Sequence, residues 1–118
     1  MEEEQREEWT RQEIMKLIEL YKAQDCLWNI NNIDYRDKRK RNAAWKYIST
    51  TLDHDILSVE RKMKVLKTQF MYCYKLLKKY SARGEAYQPK WFAYKNLKFL
   101  LTGKIHRENR EVARINED

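Results

Sequence analysis

The sequence predicts an all-α fold, in which a few helices with short connections pack around one core. Two glycines and one proline in 118 residues leave little of the turn chemistry that a many-stranded β fold needs. Several stretches carry apolar residues three and four positions apart, the spacing of one helix face. The stretch 58–83 contains neither Gly nor Pro, so it is expected to form one long helix.

The first helix is predicted over 11–23. Thr10 and Glu13 have the spacing of a capping box, and Trp9 with Ile14 fits the hydrophobic staple that accompanies it. The apolar face that follows consists of Ile14, Leu17, Ile18 and Tyr21. Residues 24–34 are rich in Asn and Asp and predict a loop, which Leu27 and Trp28 should hold against the core.

The second helix is predicted to open in the basic run 36–41 and to end near Leu52. Its apolar face consists of Ala44, Trp45, Ile48 and Leu52. Ser58 is the expected N-cap of the third helix, and Gly84 is its expected C′ residue. The buried face of the third helix should consist of Val59, Met63, Leu66, Phe70, Cys73 and Leu77.

A short fourth helix is predicted before Gly103, with Trp91, Tyr94, Leu97 and Leu101 at helical spacing. The expected organisation is an acidic flexible N-terminus (1–9), a helical domain (10–103) and a polar tail that is helical or disordered (104–118). No apolar run approaches the roughly 18 residues of a membrane span, and the acidic N-terminus does not resemble a signal peptide. The chain is therefore expected to be soluble and not secreted.

Known catalytic and cofactor-binding motifs are absent from the sequence: there is no Gly-rich phosphate loop, HExxH, GxSxG or CxxC. Cys26 and Cys73 are far apart and are expected to be buried thiols, while His54 and His106 are expected in a surface turn and in the tail. We therefore expect no enzyme activity, no cofactor and no small-molecule substrate.

The basic residues are concentrated in the middle of the chain. Residues 34–83 contain fourteen basic and five acidic side chains, a net charge of +9. Between Arg61 and Arg83 there are eight basic residues and no acidic one. Like charges at helical spacing repel, so an anionic partner would relieve a cost of a few tenths of a kcal/mol for each pair. This pattern favours nucleic-acid contact over a solvated helix face.

Four segments resemble the MADF domain, a subgroup of the Myb/SANT family of transcription and chromatin factors. They are LIELYKAQDCLWN (17–29), IDYRDKRKRNAAWKYIS (33–49), VERKMKVLKTQF (59–70) and AYQPKWFAYKNLKFL (86–100). The resemblance implies a three-helix Myb/SANT-like helix-turn-helix bundle with a long third helix and a short C-terminal fourth helix. Met63 departs from the pattern, because the family commonly has Trp there.

The resemblance also implies a nuclear protein that binds double-stranded DNA, with the third helix in the major groove. In that geometry the start of the third helix contacts bases, which gives the candidates Arg61, Lys62, Lys64, Lys67 and Thr68. The basic residues at the start of the second helix would contact phosphates: Arg36, Lys38, Arg39, Lys40 and Arg41.

A second hypothesis stays open from the sequence. Some members of the family act through protein–protein contacts, so the chain could recruit or tether chromatin factors with little sequence-specific DNA binding. A membrane-surface helix is a distant third hypothesis, because the apolar face of the third helix is needed for the core.

Overall fold

The regular structure is entirely helical in the computed structural model, which describes residues 9–102. It comprises α1 (Arg11–Ala23), a 3₁₀ helix (Asp25–Leu27), α2 (Lys38–Leu52), α3 (Ile56–Ala82) and a second 3₁₀ helix (Lys95–Leu97). No strand occurs between residues 9 and 102, which confirms the predicted all-α class. The expectations for the acidic N-terminus, the polar tail and His106 fall almost wholly outside the described residues.

The start of α1 forms as its sequence predicts. The Glu13 amide donates to Thr10 Oγ1 at 3.0 Å, and the Thr10 amide donates to Glu13 Oε1 at 3.0 Å. This reciprocal pair is a capping box, which satisfies two amides that the helix itself leaves without partners. The ring of Trp9 stacks on His54 with 4.0 Å between the ring centroids, so α1 also contacts the α2–α3 turn at this point.

One core unites all the elements. Its buried members include the whole predicted face of α1 and the predicted face of α3 except Leu77, which is only partly buried. Leu27, Ala93, Tyr94 and Leu97 close the core from the connecting segments. Met63 is fully buried, so Met fills the core position where the family commonly has Trp. The four tryptophans are half-buried and pack against the edge of this core: Trp9, Trp28, Trp45 and Trp91.

The α2–α3 turn is tighter than predicted. Asp53 adopts a left-handed conformation (φ 58°) and ends α2, and Asp55 occupies the N-cap position of α3. Ser58 therefore lies inside the first turn of α3, and its prediction as the N-cap was wrong. The left-handed conformation of Asp53 reverses the chain after α2, and only His54 and Asp55 then precede the first residue of α3.

The end of α3 is a Schellman motif. Gly84 has φ 75°, its amide donates to the Ser81 carbonyl at 3.0 Å, and the Glu85 amide donates to the Tyr80 carbonyl at 2.9 Å. The prediction of Gly84 as C′ is confirmed. The chain then returns along α3, and the fourth helical segment consists of turns, the 3₁₀ helix Lys95–Leu97 and the α-helical residues 100–102.

Candidate nucleic-acid interface

The first half of α3 presents an exposed basic face. Arg61, Lys64 and Thr68 are exposed, whereas Val59, Met63 and Leu66 on the same helix are buried. Neither Arg61 nor Lys64 forms a side-chain hydrogen bond or ion pair with any other residue in 9–102. Their charges are therefore available to an external anion. Lys62 lies at the edge of this face and is partly buried.

Two further exposed residues lie on this side of α3 and were not predicted from the sequence. Val65 is 55% exposed and Tyr72 is 63% exposed, and they lie seven residues apart on the same side of α3. Helical periodicity alone could have identified both as exposed, because their positions lie away from the buried face of α3. An exposed Val beside Arg61 and Lys64 adds an apolar surface of the kind that contacts a thymine methyl group.

Lys67 points toward the core side of α3 instead of outward. Its Nζ donates to the Tyr21 hydroxyl at 3.3 Å, and the Tyr21 hydroxyl donates to the Leu27 carbonyl at 3.2 Å. Burial lowers the pKa of Lys67, and the nearby Arg41 guanidinium lowers it further. Burial also raises the pKa of Tyr21, so the phenol remains neutral. The Lys67 ammonium is thus engaged inside the fold.

The basic run before and within α2 divides into two groups. Arg41 donates from one guanidinium nitrogen to the carbonyls of Cys26 (2.9 Å) and Tyr35 (3.1 Å), and this joins the 24–37 loop to α2. Lys40 Nζ lies 3.0 Å from Asp34 Oδ1, and this hydrogen bond raises the pKa of Lys40. The remaining three residues, Arg36, Lys38 and Arg39, are exposed.

The basic residues at the start of α3 and those at the start of α2 lie at different positions along the axis of α3. Arg41 is close enough to Lys67 to lower its pKa, so the start of α2 lies beside the middle of α3. Arg61 is six residues before Lys67, roughly 9 Å along the helix axis. The exposed basic residues therefore form a patch on the start of α3 and a second patch at the start of α2.

Comparison with known families decides the identity. The family model described as alcohol dehydrogenase transcription factor Myb/SANT-like, the MADF DNA-binding domain, matches residues 17–100. The chain belongs to the MADF family. The match contains all four segments that carry the resemblance in the sequence. The same comparisons give no significant match to a curated protein or to a solved structure.

The described part of this MADF domain contains none of the groups expected of a metal site or a membrane span. Residues 9–102 hold no cluster of three or more His, Cys, Asp or Glu side chains that could bind a metal. None of the helices in that range is both long and apolar enough to cross a bilayer. Cys73 is buried, Cys26 is partly buried, and both are free thiols.

Proposed function

We propose that this MADF domain binds double-stranded DNA in the nucleus, as the DNA-binding domain of a transcriptional or chromatin regulator. The observation that carries the proposal is the exposed face at the start of α3, where Arg61 and Lys64 have no partner among the described residues. In the helix-turn-helix geometry this part of the third helix enters the major groove. Membership of a DNA-binding family supports the same assignment.

Each exposed residue of the face has a role that follows from its chemistry. Arg61 can pair with the two acceptors on the major-groove edge of guanine, and Lys64 with one of them or with a phosphate. Val65 and the methyl group of Thr68 suit the thymine methyl group. The Thr68 hydroxyl donates to the Lys64 carbonyl at 3.0 Å, so its oxygen serves a DNA group mainly as an acceptor.

The second patch would position the domain on the DNA backbone. Arg36, Lys38 and Arg39 are exposed long cations, suited to phosphates and not tied to the fold by side-chain bonds in the described region. Lys62 fits a phosphate at the edge of the groove. Lys40, Arg41 and Lys67 would contribute to the local potential, because their charged groups already have partners within the protein.

A protein partner on the same face is the second candidate. The exposed apolar side chains Leu57, Val65 and Tyr72 favour it, since they are 57%, 55% and 63% exposed on one helix. In that case the domain would recruit or tether chromatin factors, and its affinity for DNA would be weak and independent of sequence.

The test compares two double variants that remove the same charge from opposite ends of α3. Fluorescence anisotropy with labelled duplex DNA at several salt concentrations measures affinity for the wild-type chain, for Arg61→Ala/Lys64→Ala, and for Lys78→Ala/Lys79→Ala. Lys78 and Lys79 are exposed, and they lie on average roughly 24 Å further along the helix than Arg61 and Lys64. We expect wild-type log affinity to fall by about 0.9 per phosphate contact for each unit of log salt.

We expect Arg61→Ala/Lys64→Ala to weaken binding at least about tenfold, which corresponds to about 1.4 kcal/mol. The matched control should weaken it much less. Equal losses in both variants would show that binding follows net charge and not the start of α3. Undetectable binding of every duplex would instead favour the protein-interaction candidate.

A further inference from the structure

A concave surface lies between the second half of α3 and the chain that returns along it. The cavity has a volume of about 390 Å³, within the range of binding pockets for small ligands and short side-chain anchors. Its apolar walls are formed by Leu77, Tyr87, Pro89, Trp91, Phe92 and Tyr94. It is built from the opposite end of α3 from Arg61, so the proposed DNA interface does not use it.

The walls of this cavity are held by ring contacts from two helices. Tyr87 stacks on Tyr80 of α3 at 5.2 Å, and Tyr94 stacks on Phe70 at 4.9 Å. The Arg11 guanidinium of α1 lies 4.4 Å from the centre of the Phe92 ring. Because the aromatic walls are fixed in this way, a ligand would meet a largely preformed cavity and would lose little affinity to ordering it.

Polar groups accompany the aromatic walls. Lys95 and Lys98 are exposed and line the cavity. Both ammonium groups can therefore bind a ligand that carries acceptors beside the aromatic walls.

The charge around the cavity is of one sign. Between residues 86 and 102 there are three lysines, Lys90, Lys95 and Lys98, and no acidic residue. Lys95 and Lys98 also line a neighbouring cavity of about 560 Å³ together with Lys22, where Glu19 is the one acidic member. An acidic ligand is therefore complementary to this surface.

We propose that this aromatic cavity binds a short acidic peptide of a partner protein, in which an aromatic or aliphatic anchor is flanked by Asp or Glu. The anchor enters between Trp91, Phe92 and Tyr94, and the flanking carboxylates bind Lys95 and Lys98. A nucleic acid duplex fits this surface less well, because its backbone has no side chain to insert between the concave aromatic walls and would contact only Lys95 and Lys98 at the cavity. The inference stands independently of the proposed DNA binding.

The test uses a labelled synthetic peptide with one Phe among Asp and Glu residues, and a control peptide in which Ser replaces the Phe. Anisotropy of both peptides is measured with the full chain, with Lys95→Glu/Lys98→Glu, and with Lys75→Glu/Lys79→Glu as a control of equal charge on α3. All four lysines are exposed, and Lys98→Glu also removes the contact of Lys98 Nζ with the Tyr94 ring, whose centre is 5.9 Å away. Circular dichroism verifies that both variants are folded.

We expect the Phe peptide to bind the wild-type chain, and Lys95→Glu/Lys98→Glu to weaken it at least about tenfold, since charge-assisted pairs become repulsive. The α3 control should weaken it far less. Equal affinity for the Phe and Ser peptides, equal losses in both variants, or no binding at all would overturn the proposal.

One competition measurement and one further variant test the other possible occupants. Unlabelled duplex DNA should leave the bound peptide in place, and displacement with the same affinity as DNA binding would assign the surface to nucleic acid. A variant with Gln at Glu2, Glu3, Glu4, Glu7 and Glu8 should bind the peptide as the wild type does. A large gain in affinity on that change would identify the chain's own acidic segment as the occupant and contradict a partner peptide.

Discussion

Arg41 and Arg39 are neighbours in one basic run, but the fold uses them differently. Arg39 is exposed, whereas Arg41 donates to two loop carbonyls and lies 5.1 Å from the centre of the Tyr35 ring. The sequence predicts the basic run, but it does not show that Arg39 is exposed while Arg41 is bonded to the loop. The carbonyls of Cys26 and Tyr35 come near Arg41 only when the loop folds back onto α2.

This division predicts different effects of two substitutions that remove the same charge. Arg41→Ala should lower the free energy of unfolding by about 2 kcal/mol, because two partly buried carbonyls lose a charged donor. Arg39→Ala should change it by less than about 0.5 kcal/mol and should reduce the salt slope of DNA binding by about 0.9. Urea denaturation and the salt titration measure the two effects. If Arg41→Ala left stability unchanged and weakened DNA binding as Arg39→Ala does, Arg41 would be a phosphate ligand.

Lys67 shows the same limit of sequence-based reasoning. On a helical wheel of α3 it lies at the flank of the basic face, where an outward and an inward side chain are equally compatible with the pattern. The acceptor that turns it inward is the Tyr21 hydroxyl of α1, which is 46 residues away in sequence. The candidates with no such partner, Arg61 and Lys64, stay on the proposed interface.

Among the elements, α1 was the most predictable, because its limits depend on local chemistry. The capping box sets its first residue, and the observed bounds equal the predicted ones. The start of α3 was not predictable in this way, since it depends on the left-handed conformation of Asp53 and on the packing of α2 against α3. A polar residue at the right spacing, Ser58, was available and was not used.

A contact between elements joins α1 to the α2–α3 turn. His54 Nε2 lies 3.1 Å from Glu13 Oε2, and the His54 ring stacks on Trp9. The His54 side chain is only 18% exposed, so this turn histidine is more enclosed than the sequence suggested. The hydrogen bond from the Thr10 backbone amide and then the one with His54 lower the pKa of Glu13 below its ordinary value of 4.5.

This contact predicts a pH dependence of stability. A carboxyl group whose pKa is lowered by folding stabilises the folded state above its unfolded pKa, and this contribution is lost as pH falls through the lower folded value. The free energy of unfolding of the wild type should therefore exceed that of Glu13→Gln at pH 7, and the difference should shrink below about pH 4.5. Gln can still complete the capping box, so the difference reports the charge.

Urea denaturation of both chains from pH 7 to pH 3 measures the difference. Glu19→Gln is the matched control, because Glu19 is an exposed acid on the same helix without a side-chain bond in the described region. Its difference from the wild type should stay small throughout. A Glu13→Gln difference that did not change with pH would rule out the carboxylate contact as a source of stability.

On the scale of the whole molecule, one core supports two surfaces of different character. The start of α3 presents exposed basic and apolar side chains, and the chain after Gly84 forms an aromatic cavity over the other end of the same helix. The sequence predicted the core almost completely, because helical spacing selects the buried positions. It did not predict the cavity, whose walls come from α3 and from a turn-rich segment that has no periodicity to identify its buried side.

The central claim is that the start of α3 reads DNA sequence. Selection of bound duplexes from a random pool, at low and at near-physiological salt, tests it most directly when the wild type is compared with Arg61→Ala and Arg39→Ala. We predict that the wild type enriches a defined motif at both salt concentrations. Arg61→Ala should lose its preference for one base at one or two positions of the motif, a loss of about 1–3 kcal/mol of discrimination at each position. Arg39→Ala should select the same motif with weaker binding. A pool without enrichment, or an unchanged motif in Arg61→Ala, would contradict the claim.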